Sequence, residues 1–160
     1  DASVRLRASE LVGALRDEYP FEGDEAQWLR WDLAADFSLP GRRDLLYLVL
    51  CTLVKNALLA LRQQPPAAPS VRVVLDRSAA LPGLPRQPTI AVIDNGPGIA
   101  PEVLARLTRE PVTTRAASGG SGMGLLFGHR VMSTLGGALV VSSTPGHGAT
   151  VRLHFPLEDA

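Results

Sequence analysis

Three groups of residues in this sequence have the types and spacing to do chemistry. The first is Asn56, set in the apolar run Leu53-Val54-Lys55-Asn56-Ala57-Leu58-Leu59. Asparagine is a poor helix former and its amide is costly to bury without partners, so either a core hydrogen bond or a ligand must account for it. The second is Asp94-Asn95-Gly96-Pro97-Gly98-Ile99, directly after the apolar run Thr89-Ile90-Ala91-Val92-Ile93. A carboxylate at a strand end is held rigidly, and glycines let backbone approach a flat or charged ligand; an ordinary Asp-Asn-Gly turn is the plainer alternative. The third is Ser118-Gly119-Gly120-Ser121-Gly122-Met123-Gly124-Leu125. Glycines entering a helix leave backbone N–H groups open at its positive end, which is a cradle for phosphate. A flexible linker is the alternative, but a linker need not share its glycines with the apolar start of a helix.

The elements that must hold these groups follow from apolar spacing. Leu6, Leu11, Val12 and Leu15 predict a helix from about Val4 to Glu18, ended by Tyr19-Pro20. Gln27 to Leu33 alternates and Phe37 to Gly41 closes in a turn, which predicts two short strands with Trp28 and Trp31 on opposite sides, one a core anchor and the other a rim contact. Arg42 to Arg62 lacks Gly and Pro and is apolar on more than one face, so a largely buried helix is expected. Ser70 to Arg77 and Thr89 to Asp94 read as a hairpin. Short helical spacing follows at Pro101 to Leu107 and resumes from Gly122 to Leu135. A last hairpin joins Ala138 to Ser143 with Ala149 to Pro156. Three helices against five or six strands give an α+β, two-layer α/β sandwich with helices on one sheet face.

Length and composition narrow the class. At 160 residues the chain is the size of one domain, residues 1–160, with residues 1–40 supplying a helix and strands and residues 41–156 the motifs. Hydrophobic residues at 46% and charged residues at 20% exclude general disorder. Equal numbers of basic and acidic residues, 16 each, leave no global field for a phosphate backbone, so no nucleic-acid partner is expected. Cys51 is alone, excludes an internal disulfide and reads as a small buried side chain in a reducing compartment. The longest apolar run, Leu45 to Val54, is shorter than the roughly 18 residues a membrane span needs, so no span or membrane contact is expected.

A dinucleotide-binding reading of the glycines fails, since no parallel βαβ unit surrounds them. Their order is more informative: a helix Asn, a strand-end Asp with Gly-x-Gly, a loop, a glycine-rich helix start, and a hairpin ending Phe155-Pro156. In that order the chain resembles the catalytic and ATP-binding domain of bacterial sensor histidine kinases, in the superfamily with gyrase B, Hsp90 and MutL. Leu53 to Ala57 is similar to the N box, Asp94 to Ile99 to the G1 box, Leu107 to Arg115 to a degenerate F box, and Gly120 to Leu125 to the G2 box. The resemblance implies a Bergerat fold with a mixed, largely antiparallel sheet, and a cytoplasmic domain, whether or not the whole protein is membrane-bound.

It also implies roles residue by residue. Asn56 would give its side-chain oxygen to Mg²⁺, which prefers oxygen ligands and water. Asp94 would accept from the adenine exocyclic amine, with Gly96 and Gly98 passing the base and Ile99 as an apolar wall. Thr114 and Arg115 of the lid, then Gly120, Ser121, Gly122, Met123, Gly124 and Leu125, would meet the phosphates. Thr150, or Ala149 beside it, would lie near adenine; alternation lets only one face the pocket. ATP or ADP with Mg²⁺ would be bound, phosphoryl transfer would go to a histidine on a separate dimerisation hairpin, and a response regulator would act downstream.

Departures matter too. Thr52 stands one turn before Asn56, where hydrolytic members carry a Glu that activates water; it is no general base at neutral pH, so poor hydrolysis is expected. Leu59 and Ala60 replace a basic and an aromatic residue common in the family. None of His129, His147 and His154 has the setting of a phosphoacceptor, so no catalytic residue is assigned within the chain. The alternatives are a docking module that has lost productive ATP binding, or an ATPase or serine kinase of the same superfamily.

Overall fold

A computed structural model describes residues 6–79, 86–105 and 123–157. Its central element is α3 (Arg43–Gln63), the longest helix among the described residues, which buries Leu46, Val49, Leu50, Leu53, Val54, Ala57, Leu58 and Leu61. Those positions recur every three or four residues, so one broad stripe meets the core while Lys55 stays exposed. By length and composition α3 is able to cross a membrane, with a best window of mean hydropathy 1.8. The ten-residue estimate from sequence therefore fell short. Here the helix serves as the core helix, lying on the sheet between α1 (Ala8–Glu18) and α5 (Met123–Thr134), while the short α4 (Pro101–Leu104) packs beside β4 (Ala138–Ser143).

The sheet has five strands in the order β1-β2-β3-β5-β4: β1 (Leu29–Asp32), β2 (Val71–Ala79), β3 (Gln87–Asp94), β4 (Ala138–Ser143) and β5 (Ala149–His154). β1 runs parallel to β2, and the other three pairings are antiparallel. Helices α1, α3 and α5 cover one face. That face carries Val71, Val73 and Leu75 of β2, Ile90 and Val92 of β3, Leu153 of β5 and Leu139 of β4, all buried. Full burial of each such side chain contributes roughly 1.5–3 kcal/mol, which offsets the ordering entropy of the chain. The α+β sandwich and its largely antiparallel sheet therefore stand as read.

Four local expectations change. Residues Glu25–Trp28 form a helical turn, α2, before β1, because buried Glu25 accepts from the Glu22 backbone N–H at 2.8 Å and binds Arg62 of α3 at 2.5 Å. Trp28 and Trp31 are both half-buried against the core, and Leu29 between them is the buried anchor. The second expected strand shrinks to one bridge, Ser38 to Arg7, since Asp36 turns away to cap α1 by accepting from Ser9 N at 2.8 Å and Ser9 Oγ at 2.6 Å. Burial raises the Asp36 pKa, but these bonds outweigh it and hold the carboxyl below its ordinary range. Finally, Cys51 is half-buried rather than buried, and desolvation pushes its thiol pKa up.

Candidate functional site

One face of α3 gathers the motifs. Thr52, Asn56 and Ala60 are four residues apart, so they stack in a row along the helix. At one end of the row stands Gly124, in the first turn of α5: a Cβ added there would lie 2.5 Å from Thr52 Cγ2 and 3.8 Å from Asn56 Nδ2. At the other end stands Gly96, where a Cβ would meet Ala60 Cβ at 3.5 Å and Asp94 Oδ1 at 3.0 Å. Asn56 therefore sits between the strand-end Asp loop and the glycine-led helix start. The Thr52 hydroxyl donates to Leu48 O at 2.9 Å and its methyl faces Gly124, so no carboxylate occupies that position.

Asp94 ends β3, the central strand. Its Oδ1 accepts the Gly96 N–H at 2.9 Å, which orients the carboxylate across the start of the loop. Cross-strand register aligns Val71, Asp94, Ala149 and Ser143 in one row on the helix-facing side of the sheet. Thr150 pairs with Ile93 on the opposite face. Strand alternation thus puts Ala149 on the helix-facing side, in the row of Asp94, and Thr150 on the other side.

Two side chains anchor the Asp94–Ile99 loop. Asn95 accepts from Ser70 N and donates to Ala68 O, both at 2.8 Å, tying the loop to the entry of β2. Ser143 Oγ accepts from Ile99 N at 2.7 Å and donates to Gly148 O at 2.9 Å, tying it to the β4–β5 turn. Gly146 N also donates to Pro97 O at 2.7 Å. Gly98 (φ +80°) and Gly148 (φ +87°) adopt the left-handed conformation, and a Cβ on either would collide with backbone, of Thr144 and Asp94 respectively.

The remaining assignments divide. Ile99 is half-buried against the core. Leu125 turns its side chain into the core at 6% exposure, which leaves only its backbone for a ligand. Met123 is the first residue of α5. Thr114, Arg115, Gly120, Ser121 and Gly122 lie outside the described residues. Among the described residues no cluster of three or more His, Cys, Asp or Glu side chains is arranged to hold a metal ion. Sequence reasoning missed Ser143, whose role comes only from register. An apolar groove of ≈ 360 Å³, lined by Leu45, Leu46, Phe127, Val131 and Leu135, lies at the far end of the α3–α5 pair from Asn56.

The profile of the family described as histidine kinase-, DNA gyrase B- and HSP90-like ATPases matches residues 41–159, the span that contains every residue of this site. The chain belongs to this family. The two-component sensor PprA of Pseudomonas aeruginosa is 36% identical over 120 residues, covering 73% of this chain and 12% of PprA. The chain thus spans about an eighth of that relative's length. Among solved structures, the mycobacterial sensor histidine kinase MprB superposes with a TM-score of 0.70 at 20% identity, covering 96% of this chain and 97% of that one. Full-length ShkA in complex with AMPPNP superposes with a TM-score of 0.72 at 23% identity, covering 98% of this chain and 31% of ShkA. At those identities the superpositions establish the shared fold. The family match extends from just before α3 through β5, while residues 6–40 precede it and complete the core through α1 and Phe37.

Proposed function

We propose that this chain is the ATP-binding catalytic domain of a two-component sensor histidine kinase. It would position Mg·ATP for transfer of the γ-phosphoryl group to a histidine on a separate dimerisation hairpin, with a response regulator downstream, on the cytoplasmic side. One observation carries the reading: Asn56 lies on α3 between Ala60, which meets the Asp94 loop at Gly96, and Thr52, which meets the start of α5 at Gly124. A nucleotide laid along that row would have its base at Asp94 and its phosphates at the α5 N-terminus.

The residues divide the work by chemistry. Asp94, oriented by the Gly96 N–H, is an acceptor for the adenine amine and refuses guanine, which has a carbonyl there. Ile99 offers an apolar wall to the base. The first backbone N–H groups of α5, unsatisfied within the helix, face the developing charge of the phosphates. Asn56 would hold Mg²⁺ together with phosphate oxygens; when bound, that ion neutralises charge on the transferring group. Catalysis by such a domain is positioning and electrostatics, with the nucleophile brought by the hairpin. The relative of like fold solved with AMPPNP supports an adenine nucleotide as ligand.

Calorimetric titration with Mg·ADP tests the reading. Wild type should bind, and Asp94→Asn should weaken binding by roughly ten-fold or more, as expected when a charge-assisted hydrogen bond is lost. Undiminished affinity in Asp94→Asn would remove the adenine contact. Absence of any ADP binding by the wild type would favour a docking module that keeps the fold alone.

A further inference from the structure

The loop that carries Asp94 crosses the end of the sheet. It leaves β3 at Asp94, passes over the position of Ala149 on β5, and reaches β4, where Ile99 N meets Ser143 Oγ at 2.7 Å. Its first anchor is Asn95, through the two side-chain bonds to residues 68–70 and a backbone bond from Asn95 N to Ser70 O at 3.2 Å. Its second anchor is Ser143. Between the anchors the loop supplies the Gly96 N–H that orients the Asp94 carboxylate.

Ser143 is committed in both directions. Its hydroxyl proton goes to Gly148 O at 2.9 Å, which aims an oxygen lone pair at Ile99 N–H. Gly148 in turn presses on the Asp94 carbonyl, at a spacing that leaves no room for a Cβ. One hydroxyl therefore bonds the last residue of the loop and the turn that backs its first residue. An Ala here would leave the Ile99 amide without its partner and loosen the β4 end of the loop. Asn95 and the single Gly146 N–H bond to Pro97 O would then hold it.

We infer that Ser143 is a positioning residue for purine recognition, holding the Asp94–Ile99 loop in the geometry that lets Asp94 distinguish an amino-purine from an oxo-purine. The inference rests on the proposed adenine contact of Asp94. It predicts a selective defect. Binding that uses the Asp94 carboxylate should suffer, whereas binding of a nucleotide whose base lacks the amine should be nearly indifferent.

The test is calorimetric titration of the full chain with Mg·ADP and with Mg·IDP, whose hypoxanthine has an oxygen in place of the amine. Wild type should prefer ADP. Ser143→Ala should bind ADP about three- to ten-fold more weakly, the size of one lost hydrogen bond, and IDP less than about two-fold more weakly. Ser143→Thr, which keeps the hydroxyl, should restore the preference. Ser143→Cys keeps the volume while weakening the acceptor, and should reproduce the Ala result in a fully packed protein. Ser143→Ala added to Asp94→Asn should cost little more, because the two act on one contact. Equal losses for ADP and IDP, or none, in the Ala and Cys variants while Asp94→Asn abolishes the preference would overturn the role of Ser143 alone. A preference that survives Asp94→Asn would overturn the adenine contact, and this inference with it.

Discussion

Gly124 stands so close to Thr52 that a single methyl group would not fit between α5 and α3: a Cβ at 124 would lie 2.5 Å from Thr52 Cγ2. Thr52 has little freedom to yield, because its hydroxyl is bonded to Leu48 O and its side chain is β-branched. The approach of the α5 start to Asn56 thus depends on a missing side chain at 124 and a fixed one at 52. Gly124→Ala should cost about 1–3 kcal/mol in overpacking and weaken Mg·ADP binding by displacing the helix start. Thr52→Ser removes the opposing methyl and should recover much of both losses. A Gly124→Ala protein with wild-type melting and affinity would refute this close packing.

Slow turnover is expected of the chain alone. With Thr52 back-bonded to the helix, no side chain in that position is able to take a proton from water. Steady-state phosphate release from Mg·ATP should therefore stay close to the buffer rate even where ADP binding is measurable. Rapid multiple turnover would instead favour the ATPase reading.

Residues 6–40 lie outside the family match yet share its core. Phe37, from the segment before α3, packs against Phe155 just after β5 with ring centroids 5.6 Å apart, and both are essentially fully buried. Phe155→Ala should destabilise the fold by about 3–5 kcal/mol, read as a lower urea midpoint, and Phe37→Ala by a similar amount. Independent unfolding of the segment before residue 41 would contradict a shared core.

His154 gives the fold a pH dependence of known sign. It lies on the sheet face opposite the one that α3 covers, beside Thr89 and Ala138 in register and two residues from Arg152, and is 2% exposed. Desolvation, aided by the Arg152 charge, holds its pKa below the ordinary imidazole value of about 6.5. The unfolded chain therefore binds the proton first as pH falls. The stability linked to His154 is present above about pH 6.5 and is lost progressively below it. Thermal melts from pH 7.5 to 5.5 should show a falling midpoint, and His154→Gln should flatten the slope. A midpoint independent of pH in the wild type would exclude this linkage.

Much of this architecture was legible from residue order. The buried helix, the antiparallel hairpins and the last turn follow from apolar period and glycine placement, which are local signals. Where the reading failed, a distant partner decided. Glu25 forms a helical turn because Arg62, 37 residues away, reaches it, and no local pattern announces that bond. The strand expected after Asp36 reduces to one bridge because Asp36 caps the N-terminus of α1. In the site, Asn56 and Asp94 stood out because each is costly or unusual where it sits. Ser143 did not: a serine at a strand end is unremarkable until register sets it in line with Asp94. The same register sets Thr150 on the face away from the helices, which alternation along the strand alone does not reveal.

Helix α3 also works as a ruler. Its row of Thr52, Asn56 and Ala60 keeps three contacts aligned only while their spacing matches the pitch of the backbone. One residue inserted between Thr52 and Ala60 would rotate everything beyond it by about 100°, swinging at least one mark off the scale. The segment at 65–67, before the Asn95 clamp, carries no such graduation. Length changes in this molecule should be tolerated there and punished within the helix.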